Sequence, residues 1–198
     1  AMVDDLVGQI IDALEKSKYT SNTIIVLWSD HGFHHGEKGR WGKYSLWQRA
    51  TQVNLIWVAP DITRAGSTCG RPVNLLDIYP TLVSLTGHTP PPDQLEGKDL
   101  TKLMKNPKAD WQESTVTTFG YKNYGVQSER YRYIIYEDGS EELYDHHSDR
   151  WEWTNLANRP EYADLKKRLR RQLPSHHQKD GVTYEIDRKS TRLNSSHT

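Results

Sequence analysis

The chain has 198 residues, with 26 basic and 26 acidic side chains and a formal net charge of zero. This balance excludes a strongly basic field, and so argues against nucleic acid or an anionic membrane as the main partner. No apolar run reaches the roughly 18 residues that a membrane span needs, and a single cysteine, Cys69, excludes an intrachain disulfide.

The two ends of the chain differ from what a natural gene product leads us to expect. The sequence opens at Ala1 directly inside an amphipathic pattern, so we expect a further upstream part. Residues 187–197 match the translation of a common short-read sequencing adapter. We therefore expect residues 187–198 to be an artefact within a disordered tail over 181–198, and the rest of the chain to be mildly acidic.

The first half of the chain alternates helical and strand-like patterns. The predicted elements are a helix over 3–14, strands over 23–28 and 53–58, and helices over 74–87 and 100–104. The two strand runs are continuously apolar or β-branched, which is typical of strands buried on both faces of a parallel sheet. Asp77 lies in the predicted N-cap region of the helix over 74–87.

The second half is richer in short aromatic and β-branched runs. These predict strands over 114–119, 125–128, 131–136 and 141–144, followed by a basic amphipathic helix over 160–173. The turn residues Glu137–Ser140 predict that the last two strands form a hairpin. The order of elements predicts an α/β domain over 1–110 and a small antiparallel α+β subdomain over 111–180.

A polar loop after the first strand carries the strongest chemical pattern. Asp30 and His31 follow a predicted strand end, where open α/β sheets bind ligands, and together they could hold a metal. Alternatively, Asp30 caps backbone amides and His31 is merely solvated. Lys43 follows across a loop with four glycines and could bind an anion as a point charge, or be an ordinary surface lysine.

Several other side chains are candidates for substrate contact. Trp41 lies in the same loop, and His34 with its neighbour His35 could also reach a substrate, although exposed loop histidines are the plainer interpretation. His146 and His147 follow the last predicted strand and could line the pocket. Three charged residues of the loop are expected to form a solvated face: Glu37, Lys38 and Arg40.

The run from Asp30 to Ser45 resembles the second metal-binding segment of the formylglycine-dependent sulfatases, and within them the iduronate-2-sulfatase-like branch. Further segments that agree are 3–17, 53–60, 74–87, 95–100 and 131–157. The resemblance covers nearly all of residues 1–176. It implies the C-terminal part of an alkaline-phosphatase-like α/β fold, with the antiparallel subdomain behind it.

The resemblance also implies roles for individual residues. Asp30 and His31 would bind a divalent cation, usually calcium, although many sulfatases have asparagine where this chain has His31. Lys43 would contact the sulfate group and the nucleophile. The formylglycine signature is Cys or Ser, any residue, usually Pro, any residue, then Arg, and the segment that follows Cys69 does not fit it. The nucleophile is therefore expected upstream of Ala1, and this chain alone is expected to be inactive.

The implied activity is metal-dependent hydrolysis of sulfate esters on a sulfated sugar or polysaccharide. The implied location is periplasmic or secreted, or lysosomal in a eukaryote. Two alternatives stay open. One is a phosphoesterase or phosphodiesterase of the same superfamily, with zinc and a Thr or Ser nucleophile. The other is a non-catalytic sugar-binding module.

Overall fold

A computed structural model describes residues 2–89 and 95–177. The helices are α1 (Met2–Glu15), α2 (Gln48–Thr51), α3 (Ile78–Leu85), α4 (Thr101–Lys105) and α5 (Ala163–Arg170). The strands are β1 (Ile25–Trp28), β2 (His34–His35), β3 (Trp41–Gly42), β4 (Leu55–Val58), β5 (Thr115–Thr118), β6 (Tyr124–Gln127), β7 (Tyr131–Ile135) and β8 (Glu141–Asp145). The tail predictions over 181–198 fall outside the described residues.

The first two long strands pair with each other, in the direction opposite to the one predicted. β1 and β4 are antiparallel, with Ile25 opposite Val58 and Trp28 opposite Leu55. The expectation that these runs are strands of a parallel sheet is wrong for this pair, because an apolar run indicates burial but not strand direction. Burial on both faces is not observed either, since Trp28 is 53% and Ile56 54% exposed.

Helix α1 has the predicted amphipathic pattern, but its apolar side is open. Leu6 is 51% and Ile10 69% exposed, and no residue of the helix is buried. No helix in the described part of the chain is long and apolar enough to cross a membrane.

Four antiparallel strands in the order β5-β6-β7-β8 form the second sheet, as predicted. The predicted hairpin of β7 and β8 is confirmed, with Ile135 opposite Glu141. One face of the sheet packs against α5, where Leu169 joins a core around Tyr133 and Leu143. The opposite face buries Ile134 and Tyr144 against Leu46, so this sheet supports the loop that carries Lys43.

The helix predicted over 74–87 begins with a capping box that ties two segments together. Asn74 is the N-cap of the 3₁₀ turn Leu75–Asp77, and Asp77 is the N3 residue of its capping box. Asp77 is also the N-cap residue of α3, which agrees with the predicted N-cap region. The carboxylate of Asp77, which is 5% exposed, accepts the backbone amides of Asn74 at 2.7 Å and Lys98 at 2.8 Å. The motif therefore has a structural role beside the cleft described next.

Candidate active site

An open cleft of about 1650 Å³ lies between β4, the loop after β1 and the second sheet. Asp30, His31 and Lys43 line one side of it, and His146 and His147 line another. Five of the predicted site residues, from two distant parts of the sequence, therefore line the same cleft.

The side chains of Asp30 and His31 converge. Asp30 Oδ2 and His31 Nε2 are 3.7 Å apart, and the Asp30 side chain is 81% exposed. His31 Nδ1 lies 2.7 Å from the carbonyl oxygen of Gly32. Because a carbonyl only accepts hydrogen bonds, we assign the proton to Nδ1, which leaves the Nε2 lone pair free to bind a metal.

The spacing of these two atoms suits a shared cation. Calcium binds oxygen at about 2.3–2.6 Å, and zinc binds imidazole nitrogen at about 2.0–2.1 Å. Two such bonds together exceed the 3.7 Å between Asp30 Oδ2 and His31 Nε2, so one ion can contact both atoms. Residues 2–89 and 95–177 contain no cluster of three or more His, Cys, Asp or Glu side chains that could hold a metal. The pair is therefore a partial site, which needs further ligands to reach the six to eight that calcium takes.

Helix α2 fixes the backbone next to this pair. The Gly32 amide donates to the carbonyl of Ala50 at 2.8 Å. A Cβ atom added at Gly32 would lie 2.1 Å from the carbonyl oxygen of Arg49. Only glycine therefore allows the loop to pack this closely against α2.

The loop between β2 and β3 is held by its own side chains. The amide of His35 donates to Glu37 Oε2 at 2.7 Å, and Arg49 pairs with the other oxygen at 2.8 Å. These contacts, the amide first, lower the pKa of Glu37 to about 2. Glu37 is thus part of an ordered turn that leads to Lys43, whose Nζ lies 5.8 Å from the centre of the Tyr44 ring.

Two side chains that were predicted to contact substrate, His34 and Trp41, do not line the cleft. His34 is only 1% exposed, and its Nε2 lies 2.8 Å from Ser45 Oγ. A buried imidazole that does not line the cleft does not fit the predicted contact with substrate. Trp41 is 75% exposed and contacts the His35 ring edge-on at 6.2 Å, also outside the cleft lining. Its substrate role stays a prediction.

Sequence reasoning missed a buried charged cluster below the cleft. Lys38, which was expected on a solvated face, donates to Tyr144 Oη at 3.0 Å and to the carbonyl of Glu152. Glu152 and Arg132 are 2% and 4% exposed and form an ion pair. No local pattern marks Lys38 for this role, because its two contacts join positions more than 100 apart in the sequence.

Acidification is expected to destabilise the fold through His34. Burial lowers the pKa of this imidazole below its ordinary value of 6.5, because a low-dielectric site disfavours the charged form. Below pH 6.5 the unfolded state therefore binds more protons than the folded state, and the free energy of unfolding falls with pH until the lower folded pKa is passed.

Urea unfolding at about pH 7.5 and about pH 5.5 measures this loss. The variant His34→Gln should lose less stability between the two pH values than the wild type. The exposed neighbour provides the control, so His35→Gln should behave like the wild type. Equal pH dependence in His34→Gln and His35→Gln would contradict the assignment.

The chain is similar to known proteins of one family. Residues 1–88 match the family model for Sulfatase. A sulfatase of Formosa agariphila is 41% identical over 174 residues, which cover 88% of this chain and 34% of that protein. An N-acetylglucosamine-6-O-sulfatase of Bacteroides thetaiotaomicron is 31% identical over 204 residues, covering 96% and 36%. The chain thus spans about a third of the length of these relatives.

A solved structure of a protein in complex with its substrate D-glucosamine-2-N,6-O-disulfate is also similar. It superposes with a TM-score of 0.78 at 30% identity, covering 85% of this chain and 37% of that one. The similarity confirms the expected α/β fold, which is alkaline-phosphatase-like. On the family match, the relatives and the shared fold, this chain belongs to the sulfatase family.

Proposed function

We propose that this chain supplies part of the active site of a metal-dependent sulfuric ester hydrolase that acts on a sulfated sugar or polysaccharide. The observation that carries the proposal is the convergence of Asp30, His31 and Lys43 on one cleft in a sulfatase-family chain. The chain spans about a third of the relatives' length, and we propose that it forms the C-terminal part of a longer enzyme.

The metal pair and Lys43 have separate tasks in the proposed reaction. The carboxylate of Asp30 and Nε2 of His31 would hold a divalent cation, which we propose is calcium, and a bound cation would withdraw charge from the sulfate oxygens. The Lys43 ammonium would bind a sulfate oxygen as a point charge and stabilise the negative charge that develops during S–O cleavage.

We place the nucleophile outside this chain. The residues after Cys69 do not fit the formylglycine signature. Its thiol is exposed and lies 3.4 Å from the carbonyl of Pro107. A formylglycine in the part of the enzyme upstream of Ala1 would supply nucleophilic attack on sulfur, so we propose that this chain alone is inactive.

His146 is the best candidate for a contact with the rest of the substrate. It lines the cleft together with the metal pair and Lys43. A sugar is supported by two similar proteins whose names specify sulfated glucosamine substrates. The iduronate-2-sulfatase-like branch and a periplasmic, secreted or lysosomal location remain predictions from the resemblance.

Lys43→Met in the complete gene product tests the proposal. The change should lower kcat/KM for a sulfated sugar by about 10²–10³-fold, the usual loss when one group that stabilises transition-state charge is removed. Lys122→Met is the matched control, because Lys122 also lies over a neighbouring tyrosine ring, at 5.0 Å, but outside the cleft lining.

Three results would contradict the proposal. One is wild-type turnover in Lys43→Met, and another is an equal loss in Lys122→Met. The third is a complete gene product that hydrolyses phosphate esters and leaves sulfate esters intact, which would favour the phosphoesterase alternative.

A further inference from the structure

A buried carboxylate lies behind the cleft and contacts both of its sides. Glu152 is 2% exposed. Its Oε1 lies 3.0 Å from Arg132 Nε and 2.9 Å from His146 Nε2, and its Oε2 accepts the backbone amide of Gln48 at 2.9 Å. A buried ion pair by itself contributes little net stability, so the other contacts of Glu152 are the informative ones.

The first of these contacts reaches the metal pair through α2. Gln48 is the first residue of α2, and the side chain of the N-cap residue Trp47 makes no capping hydrogen bond. The Glu152 carboxylate therefore satisfies an amide that the helix itself leaves unpaired. Two residues later, the Ala50 carbonyl accepts the amide of Gly32. Glu152 thus holds the short helix against which the loop of His31 is fixed.

The second contact sets the tautomer and the orientation of the His146 ring. A carboxylate only accepts hydrogen bonds, so His146 Nε2 carries a proton that it donates to Glu152 at 2.9 Å. In the neutral imidazole the other nitrogen, Nδ1, is then an acceptor, which fits the Gln127 Nε2 donor 3.4 Å away. Glu152 therefore fixes both the tautomer and the orientation of an imidazole that lines the cleft.

The third contact reaches the loop that precedes Lys43. Lys38 Nζ donates to the Glu152 carbonyl, and Lys38 lies in the turn between β2 and β3. Both residues have left-handed backbones, with φ of 55° at Lys38 and 59° at Glu152. Such conformations are unfavourable for residues with a Cβ, and they persist where surrounding contacts hold them.

We propose that Glu152 is a positioning residue that sets the relative placement of the two sides of the cleft. Through α2 it orients the pair Asp30 and His31, and through a direct hydrogen bond it orients His146. The catalytic consequence rests on the proposed function, whereas the placement itself does not.

Two pairs of variants test this proposal. Glu152→Gln removes the charge of the central carboxylate, and Glu141→Gln is its control. Glu141 is a partly buried glutamate of β8 that contacts Tyr133 and Lys166 instead of the loop. Gln48→Pro removes the side chain and the backbone amide that Glu152 binds, at a first helical position that tolerates proline after the extended Trp47. Its control, Gln48→Ala, keeps that amide.

Amide hydrogen exchange in the 198-residue chain is the first measurement. We expect Gly32 to exchange about tenfold faster or more in Glu152→Gln and Gln48→Pro than in their controls, with exchange in β7 unchanged. The complete gene product provides the second measurement. There, Glu152→Gln should lower kcat by about 10–100-fold, the usual effect of an outer-shell partner, and change KM by less than about threefold.

The proposal would be overturned if the Gly32 amide exchanges at the same rate in Glu152→Gln as in Glu141→Gln. If Glu152→Gln does not fold, the comparison of Gln48→Pro with Gln48→Ala decides, and equal Gly32 exchange in that pair would overturn it. A complete gene product without sulfatase activity would defeat the proposed function, while the exchange measurements would still decide the placement.

Discussion

Replacing Gly32 with alanine is expected to displace the loop that carries Asp30 and His31. The new Cβ would lie 2.1 Å from the Arg49 carbonyl oxygen and 2.9 Å from that of Gln52. Both obstacles are backbone atoms, so no side-chain rotation relieves the clash. The loop must move away from α2, which also breaks the hydrogen bond between Gly32 and Ala50.

The expected cost is about 2–4 kcal/mol of unfolding free energy, from overpacking together with one lost buried hydrogen bond. Urea unfolding measures it. Gly8→Ala in α1 is the control, because nothing lies within 4 Å of the added methyl group. A helix-interior glycine costs about 0.5–1 kcal/mol relative to alanine, so this control should be neutral or stabilising. Equal stability of the Gly32 and Gly8 variants would contradict the packing described here.

The second sheet illustrates what the sequence predicts well. The strand over 131–136 is found at Tyr131–Ile135, and its hairpin partner over 141–144 is found at Glu141–Asp145. Turn residues and alternating side chains are local signals, and a hairpin is a local structure. The same patterns could not give the direction in which β1 and β4 pair, because that depends on partners distant in sequence.

The candidate site likewise contains some residues that the sequence predicts and others that it does not. Asp30, His31 and Lys43 could be selected from the sequence because a strand end followed by a glycine-rich polar loop is a local pattern. Glu152 could not, because glutamate is rarely buried and its partners lie up to 114 residues away. Lys38 was expected on a solvent-exposed face because it is a charged residue in a polar loop. In the fold its ammonium group instead donates a hydrogen bond to Tyr144.

Removal of the Asp30 carboxylate has the largest expected effect on activity. Asp30 and His31 are the two candidate metal ligands of this chain, and their ligand atoms converge at 3.7 Å. Asp30→Ala leaves the imidazole alone, with neither the charge nor the oxygen that calcium prefers. We expect turnover to fall by roughly 10³-fold or more, because several kcal/mol of transition-state charge stabilisation are lost with the metal.

A second carboxylate of the cleft provides the matched control. Glu129 also lines the cleft, but it is paired with Arg71 and is therefore not expected to bind a cation. Glu129→Ala should retain the metal content of the wild type. A comparison of the two variants separates the loss of a metal ligand from a general loss of negative charge in the cleft.

The most direct test of the central claim is to measure bound divalent metal and sulfate-ester turnover together, in the complete gene product and its Asp30→Ala and Glu129→Ala variants. We predict that Asp30→Ala loses both the metal and turnover, while Glu129→Ala keeps its metal. Wild-type metal content and wild-type turnover in Asp30→Ala would contradict the assignment of this cleft as the sulfatase active site.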